Sequence, residues 1–321
     1  MLFLIIGLGS MGKRRIRNLK ELGEKSIIGF DIRDDRATSV SKEYDIVTFT
    51  DIKEALTMKP DVFIISTPPN HHIEYQELAV KNNIPFFCEA GISYSKKVGA
   101  ESRKYHITAC PSCTMRFNTL VKTFKEEIDK KTIGNVVAFT YHMGQYLPDW
   151  HPYEHIKDFY VGHEETSAPK EMIPFELCWL MWIFGDITEV MCMKDKLSSI
   201  DSDINDVYQI IVRFKSGILG HILIDVVSRQ LVRKMRTVGE EGSIEFDFYE
   251  KEESIHILQK NETETKYFSS KDMYVEEMKS FIEEVKIGDR TYPFSLKEES
   301  KILKVLNSIL LVSEKKHIVE D

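Results

Sequence analysis

The 321-residue chain has no excess of positive charge, only five cysteines and no long apolar run. Its formal net charge of −8 argues against a general nucleic-acid binder, which needs a basic face to displace counterions from phosphates. Cys88, Cys110, Cys113, Cys178 and Cys192 are odd in number and widely scattered. That is no disulfide framework, and reduced thiols in a cytoplasmic protein are expected. Cys110 and Cys113 form a lone C-x-x-C with neither zinc partners nor a thioredoxin-like setting, so they read as small buried hydrophobes at a strand end. No metal site is expected. The apolar start, Leu2 to Ile6, lacks a basic flank and stops at Gly7, too short for a signal core or a membrane span. It reads as a buried strand. Repeats, low-complexity tracts and flexible linkers are missing as well.

The first third instead alternates short apolar strands with helical spacing. Strands are expected over 2–6, 27–30, 46–49, 62–66, 84–88 and 107–110, and helices over 13–22 and 73–82. Such alternation predicts a parallel sheet covered on both faces. After Pro111 the rhythm changes. A helix over 120–129 leads into a strand over 136–143, then a loop rich in histidine and aromatics. Long alternating segments with glycine turns fill 206–257, and two amphipathic helices follow, over 274–286 and 296–313. The expected architecture is α/β: a doubly wound parallel sheet over residues 1–114, then an α+β domain over 115–321 with a large, open, mostly antiparallel sheet.

Gly7-Leu8-Gly9-Ser10-Met11-Gly12 follows the first strand and opens a helix. The first glycine permits the tight turn, the second lets a pyrophosphate approach the backbone, and the third lets helix and strand pack closely. Asp31 ends the second strand about 20 residues further on, where an acid accepts from the adenosine ribose hydroxyls. A carboxylate there would repel a 2′-phosphate, so NAD is expected rather than NADP. Arg33 could soften that preference, or simply be a solvated turn residue. Lys13, Arg14 and Arg15 read as a basic helix face. The first domain is thus expected to be a Rossmann dinucleotide-binding domain.

Three further segments, Thr67-Pro68-Pro69-Asn70-His71-His72, Phe87-Cys88-Glu89-Ala90-Gly91 and Met115-Arg116-Phe117, complete a set. Together with the glycine loop it resembles the glucose–fructose oxidoreductase, inositol dehydrogenase and MocA (Gfo/Idh/MocA) family. The likeness runs on through Ile133-Gly134, Phe184-Gly185-Asp186 and Glu240-Glu241-Gly242-Ser243-Ile244. The stretch from Asp149 to Glu154 with Phe159-Tyr160 further resembles a subgroup found with sialic-acid-like surface-sugar biosynthesis.

The resemblance implies oxidation or reduction of a CH–OH carbon of a sugar, amino sugar or sugar nucleotide with NAD(P). It implies an open sheet that often makes a homodimer or homotetramer, with no membrane or nucleic-acid partner. Ser66, Thr67, Pro68, His72 and Glu89 would line the cofactor along with Gly7, Gly9, Ser10, Met11, Gly12, Asp31 and Arg33. His72 could equally be structural. Two departures stand out. The family's Glu-Lys-Pro is Glu89-Ala90-Gly91 here, and its aspartate and histidine four residues apart are Glu171 and Phe175. Pro174 fits the first turn of the helix carrying them.

Proton transfer by a positioned side chain contributes ~10²–10⁴-fold, so losing both lysine and histidine leaves three readings open. The first is an oxidoreductase with a substituted relay drawn from Glu171, His155, Tyr160 and Lys170, with Arg116, Trp150 and His151 as substrate contacts. The second is a lyase or epimerase that retains NAD. The third is a non-catalytic sensor or partner protein that binds NAD(H) or a sugar.

Overall fold

The computed structural model describes residues 1–150, 155–249, 253–268, 271–288 and 291–312. By contacts the chain divides into two compact units. The first comprises Met1–Phe117 with Asp272–Ser300, and the second Asn118–Lys271 with the chain from Lys301 onward. The sequence boundary at 114/115 is close to the first crossing. A continuous second domain over 115–321 is not what the contacts give, because residues 272–300 group with the first unit.

The first unit contains β1 (Phe3–Ile6), α1 (Ser10–Glu21), β2 (Ile27–Phe30), α2 (Asp34–Tyr44), β3 (Val47–Phe49), α3 (Ile52–Thr57), β4 (Val62–Ile65), α4 (His72–Lys81), β5 (Phe86–Cys88), α5 (Lys96–Lys104) and β6 (Ala109–Pro111). Its six strands are ordered β3-β2-β1-β4-β5-β6, and every pair is parallel. β1, β2, β4 and β5 are buried along their whole length, as strands covered on both faces must be. Their side chains pack with Tyr75, Ala79, Val80, Val98 and Ile107 into one core. The strand order reverses between β1 and β4, so the chains leaving their carboxyl ends diverge and open the crevice typical of this topology.

The second unit contains α6 (Thr119–Asp129), β7 (Val136–Gly144), α7 (Ala168–Phe184), β8 (Ile187–Asp195), β9 (Val207–Phe214), β10 (Leu219–Asp225), β11 (Val232–Gly239), β12 (Gly242–Asp247), β13 (Ser254–Gln259) and β14 (Glu262–Tyr267). The sheet runs β14-β13-β12-β11-β7-β10-β9-β8, antiparallel except for the β7–β10 pair. Alternation along β9 and β11 sends one set of side chains inward and leaves the other outside. The inner face is aromatic. Phe139 stacks on Phe184 at 4.6 Å between centroids, and Trp179 meets Tyr141 edge-on at 5.2 Å. Phe124 of α6 packs on Phe246 at 5.1 Å. The outer face carries Met191, Met193, Ile211 and Leu219, all exposed.

The expected helix over 13–22 begins earlier, at Ser10, and α2, α3 and α5 were not anticipated. Pro174 does not sit in the first turn of its helix, as the sequence reading had it. α7 starts at Ala168 with Pro169 in its first turn, and Pro174 lies in the interior. Having no N–H, Pro174 cannot donate to the carbonyl one turn back. Cys88, Cys110, Cys113 and Cys178 are all buried, in line with the reading of the C-x-x-C as structural.

α8 (Met273–Ile287) and the start of α9 (Leu296–Val312) complete the first unit. α8 packs along α1, and the contact centres on a buried charge. Arg15 of α1 is fully buried and donates through Nε and Nη2 to the two carboxylate oxygens of Glu89, at 2.6 and 2.9 Å. Nη2 also reaches Glu277 of α8 at 2.9 Å, and the Phe87 ring lies 4.5 Å beneath the guanidinium. Burial opposes the Arg15 charge, but Glu89 and Glu277 outweigh it and hold its pKa above the ordinary value. Glu277 also accepts from Ser112 Oγ (3.0 Å), Cys113 N (2.6 Å) and Thr114 Oγ1 (2.8 Å).

Replacing Glu277 by leucine leaves Arg15 short of one carboxylate inside the unit. Breaking a buried ion pair by removing one partner costs about 3–5 kcal/mol. Urea unfolding of Glu277→Leu should show that loss, and a midpoint equal to the parent's would mean the network does not hold α8 in place.

Candidate active site and cofactor cradle

Gly7 has φ +91°, a conformation that side chains avoid, and a Cβ there would stand 2.7 Å from the Ser66 carbonyl oxygen. The turn after β1 therefore touches the end of β4. At Gly12 a Cβ would meet the Gly7 carbonyl oxygen at 2.0 Å, so only glycine lets α1 start this close to β1. Gly9 is different. A Cβ on it would meet only Arg36 Nη1, at 3.8 Å, which leaves its face open to an approaching group. Gly9 caps α1 without a side-chain hydrogen bond, and no acid sits in the first turn. The first N–H groups of α1, at Ser10, Met11 and Gly12, thus form a positive end suited to an anion.

Asp31 follows β2 directly and is buried. Its carboxylate accepts from Leu8 N at 2.8 Å and from Arg33 N at 3.0 Å, which ties it to the glycine loop. Arg33 points its guanidinium at Asp35, at 2.7 and 3.2 Å. Arg36 is the cation the sequence reading missed: its Nη1 lies 3.6 Å from Asp31 as well as beside Gly9. The signal was its place in the first turn of α2, five residues after the acid. Lys13 pairs with Glu43 and Arg14 covers the Tyr274 ring, so the basic run splits three ways instead of forming one solvated face.

At the end of β4, Ser66 is buried, and the Thr67 hydroxyl is buried with no hydrogen-bond partner among the described residues. Pro68 leads into a short turn and α4. His72 opens α4, buried, with Nε2 2.9 Å from the Thr67 carbonyl oxygen. Burial pushes its pKa down to about 4, so it is neutral at physiological pH. Both Glu89 oxygens face Arg15, with Ser66 Oγ at 3.4 Å from one of them. An uncapped helix end, an open glycine face, a buried carboxylate at the end of β2 and an orphaned hydroxyl fit a nicotinamide dinucleotide, which residues 7–12, Asp31 and 66–68 would hold.

Two family models match. One is described as an oxidoreductase family with an NAD-binding Rossmann fold, over residues 1–96, and the other as the GFO/IDH/MocA C-terminal domain, over residues 121–245. The chain belongs to the Gfo/Idh/MocA family. It is 23% identical over 305 residues to myo-inositol 2-dehydrogenase of Thermotoga maritima, covering 89% of this chain and 88% of that one. Among solved structures, an oxidoreductase from Agrobacterium radiobacter in complex with NAD+, L-tartaric acid and magnesium shares the fold at TM-score 0.86 and 13% identity. The match covers 98% of this chain and 96% of the other. UDP-N-acetylglucosamine 3-dehydrogenase from Acidithiobacillus ferrooxidans matches at TM-score 0.80 and 15% identity, over 98% of each chain. The Gfo/Idh/MocA fold is therefore present over nearly the whole length, and the protein is an NAD(P)-dependent oxidoreductase.

In the second unit the structure brings together only part of the expected relay. Tyr160 Oη lies 3.2 and 3.3 Å from the two oxygens of Glu171, on the first turns of α7. Lys170 turns to Glu164 instead, bonding its carbonyl and, at 3.0 Å, its carboxylate. His155 is exposed, with Nδ1 accepting from Lys157 N and Nε2 3.7 Å from Asp201. Phe175, expected from the sequence to stand at the family's histidine position, has the Arg233 guanidinium 5.8 Å from its ring. Trp150 Nε1 is buried with no partner among the described residues, and His151 lies outside them. Arg116 belongs to the first unit. It is buried against the Phe294 ring, donates to the Pro293 carbonyl at 2.6 Å and pairs with Glu298 at 3.1 Å.

Hydrogen bonds to a charged group are each worth about 1.5–3 kcal/mol. Asp31→Ala should therefore weaken NAD binding by about tenfold or more and narrow the preference over NADP. Titration of both dinucleotides tests this, and unchanged affinities would remove Asp31 from the ribose site.

Proposed function

We propose that the protein is an NAD-dependent dehydrogenase of a cyclic polyol, sugar, amino sugar or sugar nucleotide, with Glu171 handling the substrate proton. The observation that carries this is the Tyr160–Glu171 hydrogen bond, in which a phenol from the preceding turn meets a carboxylate on the helix expected to carry the family's acid–histidine pair. The cofactor supplies the hydride acceptor. The chain's part is to place the carbon and move the proton, and a carboxylate with a phenol O–H on it is a base whose ionised form is stabilised. The names of relatives acting on myo-inositol and a UDP-amino sugar support a polyhydroxylated substrate. Asp31, with Arg33 turned away to Asp35, supports NAD over NADP.

We further propose a homodimer or homotetramer through the outer face of the eight-stranded sheet. Met191 and Met193 are 69% and 76% exposed there beside Ile211 and Leu219, and apolar patches of this kind mark association surfaces.

A second reading keeps the nucleotide site without turnover. Ala90 and Phe175 favour it, since neither can carry a proton. A panel of sugars, cyclitols and sugar nucleotides, followed at the reduced-nicotinamide absorbance, separates the two. Turnover supports the dehydrogenase, whereas NADH binding without turnover on any substrate supports the binding protein. With turnover in hand, Glu171→Gln should lower kcat by about 10²-fold. NADH affinity should stay within about twofold, since Glu171 serves the substrate proton and not the nucleotide. An unchanged kcat would take Glu171 out of the relay.

A further inference from the structure

Glu299, on the first turn of α9, is buried in the first unit. Burial alone pushes its pKa up to about 8, with no cation offsetting it. It faces Gly91. The three heavy atoms nearest the point where a Gly91 Cβ would stand are all polar: the Ser93 carbonyl oxygen at 3.5 Å, His72 Nδ1 at 3.6 Å and Glu299 Oε1 at 3.7 Å. His72 Nδ1 is buried and has no hydrogen-bond partner among the described residues.

The proton inventory of this group is fixed by its chemistry. His72 Nε2 lies 2.9 Å from the Thr67 carbonyl, which can only accept, so Nε2 carries the hydrogen and Nδ1 is a bare acceptor. Ser93 presents a second acceptor. The carboxylic acid of Glu299 has one hydrogen to give. A water molecule, with two hydrogens to donate and lone pairs to accept, satisfies all three.

We propose that a water molecule is held over the α-carbon of Gly91, accepting from Glu299 and donating to His72 Nδ1 and the Ser93 carbonyl, and that this chain positions Thr67 in the cofactor site. Glu299 and His72 are positioning residues in this arrangement. The proposal rests on the dinucleotide reading of residues 66–68. Ionised Glu299 would leave three acceptors facing two hydrogens. His72 restores the balance only by moving its hydrogen to Nδ1, which gives up the bond to Thr67. The titratable groups around Glu299 are His72 from α4, the Cys88 thiol of β5 and, beyond it, Glu89. Burial raises the Cys88 thiol well above its usual range, and Glu89 is engaged by Arg15. On its own helix, Glu298 is turned to Arg116 and Ser295.

The test is thermal unfolding and NADH fluorescence titration of the parent, Glu299→Gln and Gly91→Ala between pH 4 and 9. The glutamine amide donates to the water as the acid does, but at every pH. Loss of one hydrogen bond corresponds to about a two- to tenfold change in affinity. The parent should lose about that much NADH affinity as pH rises through 8, and Glu299→Gln should not. The folded pKa of Glu299 lies above its ordinary 4.5. Its contribution to stability is therefore complete below that value and lost as pH rises to about 8. Relative to Glu299→Gln, the parent should become progressively less stable across that window. A methyl at Gly91 has only ordinary contacts, so Gly91→Ala should fold, displace the water and weaken NADH at all pH values. Parallel stability curves for parent and Glu299→Gln, or Gly91→Ala binding NADH like the parent, would overturn the proposal. If the parent bound no NADH at any pH, the dinucleotide reading would fall, and the unfolding curves would still decide whether Glu299 is held protonated.

Discussion

The first unit depends on one buried cation. Arg15 leaves the helix that starts at the glycine loop and enters the space between that helix, the end of β5 and α8. A guanidinium removed from water loses several kcal/mol of hydration, and only close, well-directed carboxylates make such a position tolerable. Glu89 meets it as a two-pronged pair and Glu277 meets it from the far end of the chain. Two carboxylates around one cation leave a surplus negative charge. The donors at Ser112, Cys113 and Thr114 absorb part of it, and burial still pushes the Glu277 carboxyl above its ordinary pKa. The requirement links three pieces of the cofactor cradle. The helix whose first N–H groups would face a phosphate, the strand end that carries Glu89 and the returning segment 272–300 are fixed by the same ions. It also explains why a segment so late in sequence groups with the first unit.

How much of this could be read in the sequence followed from how local each constraint is. The glycine loop was legible because its requirements are met within one turn: a positive φ at Gly7 and no room for a Cβ at Gly12. Asp31 was legible because strand and helix lengths fix its distance from the loop. Arg15 read as one of three basic residues on a helix face, since nothing nearby in sequence announces Glu277. Arg36 and Glu299 were missed for the same reason. Helix α2 was missed because only Ala37, Val40 and Tyr44 along it are buried, too sparse an apolar stripe to stand out. Pro174 misled in the other direction. Proline at a helix start is a good local rule, but Pro169 had already taken that place.

In the second unit a buried ion network adjoins the residue that we propose stands at the family's histidine position. Phe175 lies beside Arg233, whose guanidinium is tied to Glu176 at 2.8 Å. Glu176 in turn accepts from Tyr141 Oη at 2.6 Å and Trp179 Nε1 at 2.8 Å. This buried network anchors α7 to the sheet, one residue away from the position where the family's imidazole is lost. Glu171, one turn earlier, keeps a carboxylate and gains the Tyr160 hydroxyl. Phenol and carboxylate both exchange protons, whereas the phenyl ring that replaces the imidazole does not.

The change from lysine to Ala90 has an electrostatic consequence of its own. In the family's pattern an ammonium group directly follows the glutamate. Here Glu89 has no cation beside it in sequence, and Arg15 takes both of its oxygens from the opposite side. A carboxylate so engaged has little freedom to swing toward a substrate. Glu89 is thereby fixed against α1 and poorly suited to carry a proton to a substrate. In the proposed arrangement His72, with its orphaned nitrogen, and Glu299, with no counter-charge, are coupled through water to the Thr67 backbone. With alanine at position 90, compensation of the Glu89 charge falls to Arg15, and in the proposed function the substrate proton falls to Glu171 with Tyr160.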